Sequence, residues 1–123
     1  IRVFGVEPEL ANDTYLSLRA KERITVDNSA TIADGLRTPK PGALTFPVVQ
    51  ALVEDVVLVT EAEIQEAVRF ALERLKIVME PSGAVCVAAA LAGKLPAGVR
   101  RVGLTISGGN VDLDLLAAIA KGD

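Results

Sequence analysis

Three short runs rich in β-branched and apolar residues, at 1–6, 56–59 and 99–106, are separated by stretches whose apolar residues recur at helical spacing. That alternation calls for an α/β domain with a mainly parallel sheet and flanking helices, because parallel strands need a crossover element and buried strands read as continuous apolar runs. The first run stops at Glu7-Pro8, where the proline closes the strand. Residues 9–20 then carry apolar Leu10, Tyr15 and Leu18, with Arg19, Lys21 and Arg23 toward the C-terminal end, as a helix dipole favours. Residues 28–47 hold Asp34-Gly35, Pro39, Pro41-Gly42 and Pro47, which break any long element and predict a functional or interface loop.

The clearest local signal is Thr60 followed by Glu63, a capping box in which hydroxyl and carboxylate satisfy each other's backbone amides. Ile64, Ala67, Val68, Ala71, Leu72, Leu75 and Val78 share one stripe of the helix it opens, and Glu80-Pro81 marks the end. Residues 82–92 are small and apolar on almost every face, which predicts a helix buried on both sides with Gly93 as its C-cap. Pro96 and Gly98 introduce the third strand, Ser107-Gly108-Gly109-Asn110 forms a tight turn, and residues 111–121 make a closing helix with Leu113, Leu116, Ala117 and Ala120 toward the core.

Half of the 123 residues are hydrophobic and 24% are charged, so one packed core is within reach. The balance of 13 basic and 16 acidic side chains, with Phe4, Tyr15, Phe46 and Phe70 as the aromatics, argues against nucleic acid as a partner. The absence of histidine removes the histidine-based triads and zinc sites. Cys86, the single cysteine, lies in an apolar run and reads as a small buried hydrophobe in a reducing, cytoplasmic setting. That run, residues 84–92, is about half of a membrane span. Residues 1–6 lack signal-peptide features, and the missing initiator methionine suggests that residue 1 is not a natural start.

In open parallel sheets, ligands bind beyond the carboxyl ends of the strands. Three such places are polar or glycine-rich: Glu7 with residues 11–13, residues 80–83, and residues 107–110. In the last, two glycines allow close backbone approach while Ser107 presents a hydroxyl, although the same pattern serves a structural turn.

The runs Gly5-Val6-Glu7-Pro8, Thr31-Ile32-Ala33-Asp34-Gly35, Glu80-Pro81-Ser82-Gly83-Ala84 and Ser107-Gly108-Gly109-Asn110-Val111-Asp112 occur in one order. Together they resemble the threonine/serine dehydratase and serine racemase family of pyridoxal-phosphate (PLP) enzymes, with the fold of the tryptophan synthase β-subunit. The resemblance spans residues 1–121. It implies that Ser107, with Gly108 beside it, donates a hydrogen bond to the pyridine nitrogen of the cofactor. A hydroxyl leaves that nitrogen unprotonated, whereas a carboxylate would hold a proton on it and strengthen the electron sink; the weaker sink suits β-elimination over transamination. The resemblance further makes Glu80 the acidic residue lining the cofactor pocket and Gly35 the glycine whose backbone borders the substrate side. The alternative for Glu80 is a carboxylate serving the helix dipole.

Glu7, Ala11 and Asp13 match the family's divalent-cation site, in which two carboxylates and one main-chain carbonyl hold magnesium, calcium or manganese in a structural or activating role. The family's cofactor-bearing lysine and four-glycine phosphate cup lie upstream of the strand that opens this chain. None of Lys21, Lys40, Lys76, Lys94 and Lys121 has that context. The resemblance thus implies the C-terminal portion of the large PLP-binding domain, inactive alone, from an ammonia-lyase acting on L-threonine or L-serine. Serine racemase, 3-hydroxyaspartate dehydratase and a non-catalytic fragment are the alternatives. The implied partners are a small amino-acid substrate, the N-terminal part of the same enzyme and further copies in a homodimer or homotetramer, with neither nucleic acid nor membrane. With Asp123 near a natural end, the parent would be a short, catabolic-type enzyme.

Overall fold

A computed structural model describes residues 1–27 and 30–122; Asn28 and Ser29, at the start of the turn-rich stretch, and Asp123 lie outside the described residues. Strands β1 (Phe4–Pro8) and β2 (Asp55–Val59) pair in parallel, with Val6 opposite Val57 and Pro8 opposite Val59. Between them run α1 (Asp13–Ala20), a 3-10 turn at Asp34–Leu36, and α2 (Phe46–Leu52). After β2 come α3 (Glu61–Phe70), α4 (Pro81–Leu91) and α5 (Leu113–Lys121). The α/β class and the parallel pairing expected from the sequence are both present.

The core is organised around α4. Its residues Pro81, Ser82, Gly83, Ala84, Val85, Val87, Ala88 and Ala89 are buried, and it packs on α3 and on both strands. Ile64, Ala67, Val68 and Ala71 meet it from the α3 side, joined by Val59, Met79 and Ile119. Small side chains along α4 let neighbouring backbones approach closely, which suits an element enclosed on several sides.

The capping box forms as its sequence requires: Thr60 Oγ1 accepts from the Glu63 amide at 3.2 Å, and Glu63 Oε2 accepts from the Thr60 amide at 2.7 Å. Lys94 joins it, donating from Nζ to Glu63 Oε2 at 2.7 Å and to the Leu58 carbonyl at 3.0 Å. Burial opposes the Glu63 charge, but the Lys94 hydrogen bond, aided by Thr60, holds this carboxyl below its ordinary value.

Several boundaries differ from the sequence reading. Helix α1 begins at Asp13 rather than at residue 9, because the Ala11 amide closes a turn onto the Pro8 carbonyl and leaves Leu10 exposed. Pro47 opens α2 instead of breaking the chain, since a proline in the first turn lacks only an amide that would have no intrahelical partner. Helix α3 widens into a π-helical turn at Ala71–Leu75 and stops at Lys76 in the left-handed region, so Leu75 and Val78 are exposed rather than part of the buried stripe. On α5, Ile119 is the buried anchor with Leu115 and Leu116 against the core, while Leu113 is 79% exposed.

The expected third strand is not formed: residues 99–106 have no strand pairing, and the sheet has two strands among the described residues. A strand exists only as a member of a ladder. A cavity of about 570 Å³ lies between residues 95–104, the sheet face of Phe4, Val6 and Val57, and the α4 flank at Cys86 and Ala89. Replacing Thr60 by alanine should remove one half of the capping box and lower stability by about 1 kcal/mol. A chemical-denaturation midpoint that does not move would contradict that account.

Candidate functional site

Glu80 precedes α4 with an extended backbone (φ −75°, ψ 156°), and Pro81 follows at the first helical position, so the helix starts abruptly. The Glu80 carbonyl accepts from the Gly83 amide at 3.0 Å and the Ala84 amide at 3.1 Å, while the Glu80 amide donates to the Gly108 carbonyl at 3.2 Å. The 107–109 backbone therefore lies against the head of α4. It can lie there only because side chains are missing: a Cβ on Gly83 would stand 2.8 Å from the Gly108 carbonyl oxygen, and one on Gly109 would stand 2.8 Å from the Val78 carbonyl oxygen. A Cβ on Gly108 would overlap Glu80 Oε1.

This packing brings Glu80, Ser107 and Gly108 together. Ser107 is exposed, and its hydroxyl has no partner among the described residues. Glu80 makes no side-chain capping bond to α4, so its carboxylate is not spent on the helix amides. The third segment arrives through Gly35, whose amide donates to Ser82 Oγ at 2.9 Å and to Asp34 Oδ1 at 2.8 Å. Three runs distant in sequence thus meet at one helix head.

The fastening of the Gly35 loop was not legible in the sequence reading. Glu61, in the first turn of α3, accepts from the Thr31 hydroxyl at 2.7 Å and from the Ile32 amide at 2.7 Å. Arg37 donates from Nε to the Thr31 carbonyl at 2.9 Å. The available signals were an acid beginning a capped helix and a serine two residues beyond Glu80 in a run otherwise of small apolar residues.

A second polar cluster lies at the head of α1. Glu7, near the end of β1, accepts from the Thr14 amide at 3.0 Å and the Tyr15 amide at 2.8 Å. Asp13 is 2% exposed, and its Oδ2 is buried without a partner among the described residues. Burial, then the neighbouring Glu7 charge, pushes the Asp13 carboxyl up to about 6. Ala11 is buried beside them in the chain. Among the described residues no three His, Cys, Asp or Glu side chains gather as a metal cluster, so a cation here would need main-chain oxygen as well as the two carboxylates.

Cys86 is half-buried rather than fully buried, and it lines the larger cavity on the flank of α4. Burial pushes its thiol above the ordinary value. Among the described residues no helix is long and apolar enough to cross a membrane.

Comparison with known proteins identifies the family. Residues 1–108 match the family described as pyridoxal-phosphate dependent enzyme. An L-threo-3-hydroxyaspartate ammonia-lyase from a Pseudomonas species is 40% identical over 98% of this chain and 38% of that enzyme. The L-threonine ammonia-lyase of Thermotoga maritima is 41% identical over 97% of this chain and 29% of that enzyme. The structure of maize serine racemase superposes with a TM-score of 0.87 at 41% identity, covering 99% of this chain and 38% of that one. The chain belongs to the pyridoxal-phosphate dependent enzyme family, and it spans well under half the length of these relatives.

The glycine contacts make a direct prediction. Gly83→Ala sets a side chain against backbone that cannot swing aside, and should destabilise by about 2 kcal/mol or more. Gly103→Ala, with nothing within 4 Å of the added carbon, should stay within about 0.5 kcal/mol of the parent. Equal melting temperatures for the two variants would refute the close packing of 107–109 on α4.

Proposed function

We propose that these residues form one wall of a PLP site in an ammonia-lyase that converts L-threonine or L-serine to a 2-oxo acid and ammonia. The observation that carries this reading is the side-chain-free contact between the head of α4 and the 107–109 turn, which sets Ser107, Gly108 and Glu80 beside one another. An exposed hydroxyl beside glycine-lined backbone suits a flat aromatic heterocycle with one acceptor nitrogen. When bound, the cofactor supplies the electron sink for β-elimination. Ser107 donates to its ring nitrogen without adding a proton, Gly108 leaves room for the Glu80 carboxylate beside the ring, Glu80 forms the acidic margin, and the Gly35 main chain borders the substrate side.

The lysine that carries the cofactor and the cradle for its phosphate come, in this reading, from another part of the polypeptide. These 123 residues are then the C-terminal portion of the large domain and perform no chemistry by themselves. The relatives' names support a small 2-amino-3-hydroxy acid as substrate, and keep racemisation of serine and dehydration of 3-hydroxyaspartate as the alternatives. A cytoplasmic homodimer or homotetramer completes the reading. In the full-length enzyme, Ser107→Ala should slow elimination about tenfold or more and shift the cofactor's absorbance. An unchanged rate and spectrum would sink the assignment.

A divalent cation, magnesium, calcium or manganese, is the second part of the reading, held by Glu7, Asp13 and the Ala11 carbonyl. The observation favouring it is the buried Asp13 Oδ2, without a partner among the described residues, beside a second carboxylate. Glu7 uses one lone pair on each oxygen for the α1 amides and retains others for a ligand.

The sign of the pH effect follows from the direction of the shift. Asp13 keeps its proton in the folded protein up to about pH 6 but loses it near the ordinary carboxylate value of 3.8 when unfolded, so without a cation its contribution falls as pH rises above 3.8 and is lost above about 6. A cation favours the ionised form, and magnesium or calcium should raise the melting temperature more at pH 7.5 than at pH 5. Asp13→Asn should be more stable than the parent in chelator at pH 7.5 and gain nothing from metal. A gain equal to that of the parent would count against the site.

A further inference from the structure

The loop carrying Gly35 is fastened to two different helices. Its base is held by α3, through the Thr31 hydroxyl and Ile32 amide on the Glu61 carboxylate, while the buried Thr31 Oγ1 also accepts from the Ala33 amide at 3.1 Å. Its tip is held by α4 through one side chain. Ser82 Oγ accepts from the Gly35 amide at 2.9 Å and donates toward Asp34 Oδ1 at 3.4 Å, bridging 47 and 48 residues of sequence. The other bonds at the tip are local: the Gly35 amide also donates to Asp34 Oδ1 at 2.8 Å, the Asp34 amide to the Ile32 carbonyl, the Leu36 amide to the Ala33 carbonyl and the Arg37 amide to the Asp34 carbonyl.

Ser82 is 9% exposed, at the second position of a helix otherwise built there from small apolar residues. A buried hydroxyl needs partners. Here the partners lie on the loop and not on the serine's own helix. The approach is close enough that a Cβ on Gly35 would stand 3.0 Å from Ser82 Oγ and 3.2 Å from its Cβ. Ser82 also lies two residues after Glu80 and next to Gly83, whose α-carbon faces the 107–109 backbone. One residue therefore relates the Gly35 main chain to the Glu80 and Ser107 wall.

We propose that Ser82 is a positioning residue, whose hydroxyl fixes the Gly35 main chain against the head of α4 and so sets the substrate side of the site relative to the cofactor side. This rests on the function proposed above and deepens it. The dependence is local, because the loop base stays tied to Glu61 when the tip is freed. Loss of the hydroxyl consequently acts on substrate binding, while the contact between α4 and residues 107–109, made of backbone and glycine, persists.

The test uses the full-length enzyme with its cofactor. Ser82→Ala should raise KM for the amino-acid substrate about tenfold, keep kcat within about threefold, leave the absorbance of the bound cofactor unchanged and accelerate hydrogen exchange at the Gly35 amide. An unchanged KM, a loss confined to kcat, or a shifted absorbance would overturn the positioning role. Should Ser82→Ala fail to fold, Asp34→Ala removes the exposed partner and should raise KM in the same direction by a smaller factor; an unchanged KM there overturns the proposal. Ser107→Ala run in parallel separates the two ideas. No spectral response to Ser107→Ala defeats the cofactor wall itself, whereas a response there with an unaltered KM in the Ser82 variant defeats only the role of Ser82.

Discussion

Backbone touches backbone where α4 begins. The Gly108 carbonyl receives the Glu80 amide at 3.2 Å, and the added carbons that would separate the two segments are absent at Gly83, Gly108 and Gly109. Any larger residue at these positions would push the 107–109 turn off the helix and carry the Ser107 hydroxyl with it. The other face of the arrangement is held just as firmly, since α4 is enclosed by α3 and both strands. A site whose parts are backbone segments pressed on a buried helix has little freedom to drift, which is what orienting a bound ring requires.

The carboxylates at the helix heads divide into two kinds. Glu63 is engaged through Oε2 by both the Thr60 amide and Lys94. Asp112 similarly spends an oxygen on the Asp114 amide at the start of α5. Their work is structural, because the orphan amides of a first turn need acceptors. Glu7 is intermediate, giving both oxygens to α1 while standing beside Asp13, whose Oδ2 has no partner among the described residues. Glu80 makes no capping bond although it occupies the capping position. A side chain placed where it could satisfy its own helix, yet left out of that task, is available to something outside the helix.

Much of this was legible in the sequence, and the reason is that the signals were local. Thr60 with Glu63 specifies a cap from a few residues, and the small apolar run of residues 82–92 fits only a well-buried helix. The convergence of Glu80, Ser107, Gly108 and Gly35 was legible through a resemblance rather than through periodicity. What failed was non-local. Residues 99–106 have strand composition, but a strand needs a partner ladder, and composition does not supply one. The stripe through Leu75 and Val78 continued on paper past the point where a π-helical turn and the left-handed Lys76 redirect the chain. Pro47 read as a breaker because proline's effect depends on whether it falls inside a helix or at its first turn.

Helix α4 divides into a head that meets polar loops and a flank that meets apolar packing. Along the flank, Cys86 and Ala89 face a cavity lined mainly by apolar side chains, with Arg2 and Arg101 also on its wall. At the head, Ser82 and Gly83 meet two polar loops through a hydroxyl and a bare α-carbon. Changes on the flank alter packing volume, and proteins tolerate these when neighbouring side chains can adjust. Changes at the head alter the distance between main chains, which have no rotamers with which to adjust. The first turn of α4 is therefore where the sequence has least freedom, and glycine and serine stand there because each larger residue would separate surfaces that the site needs in contact.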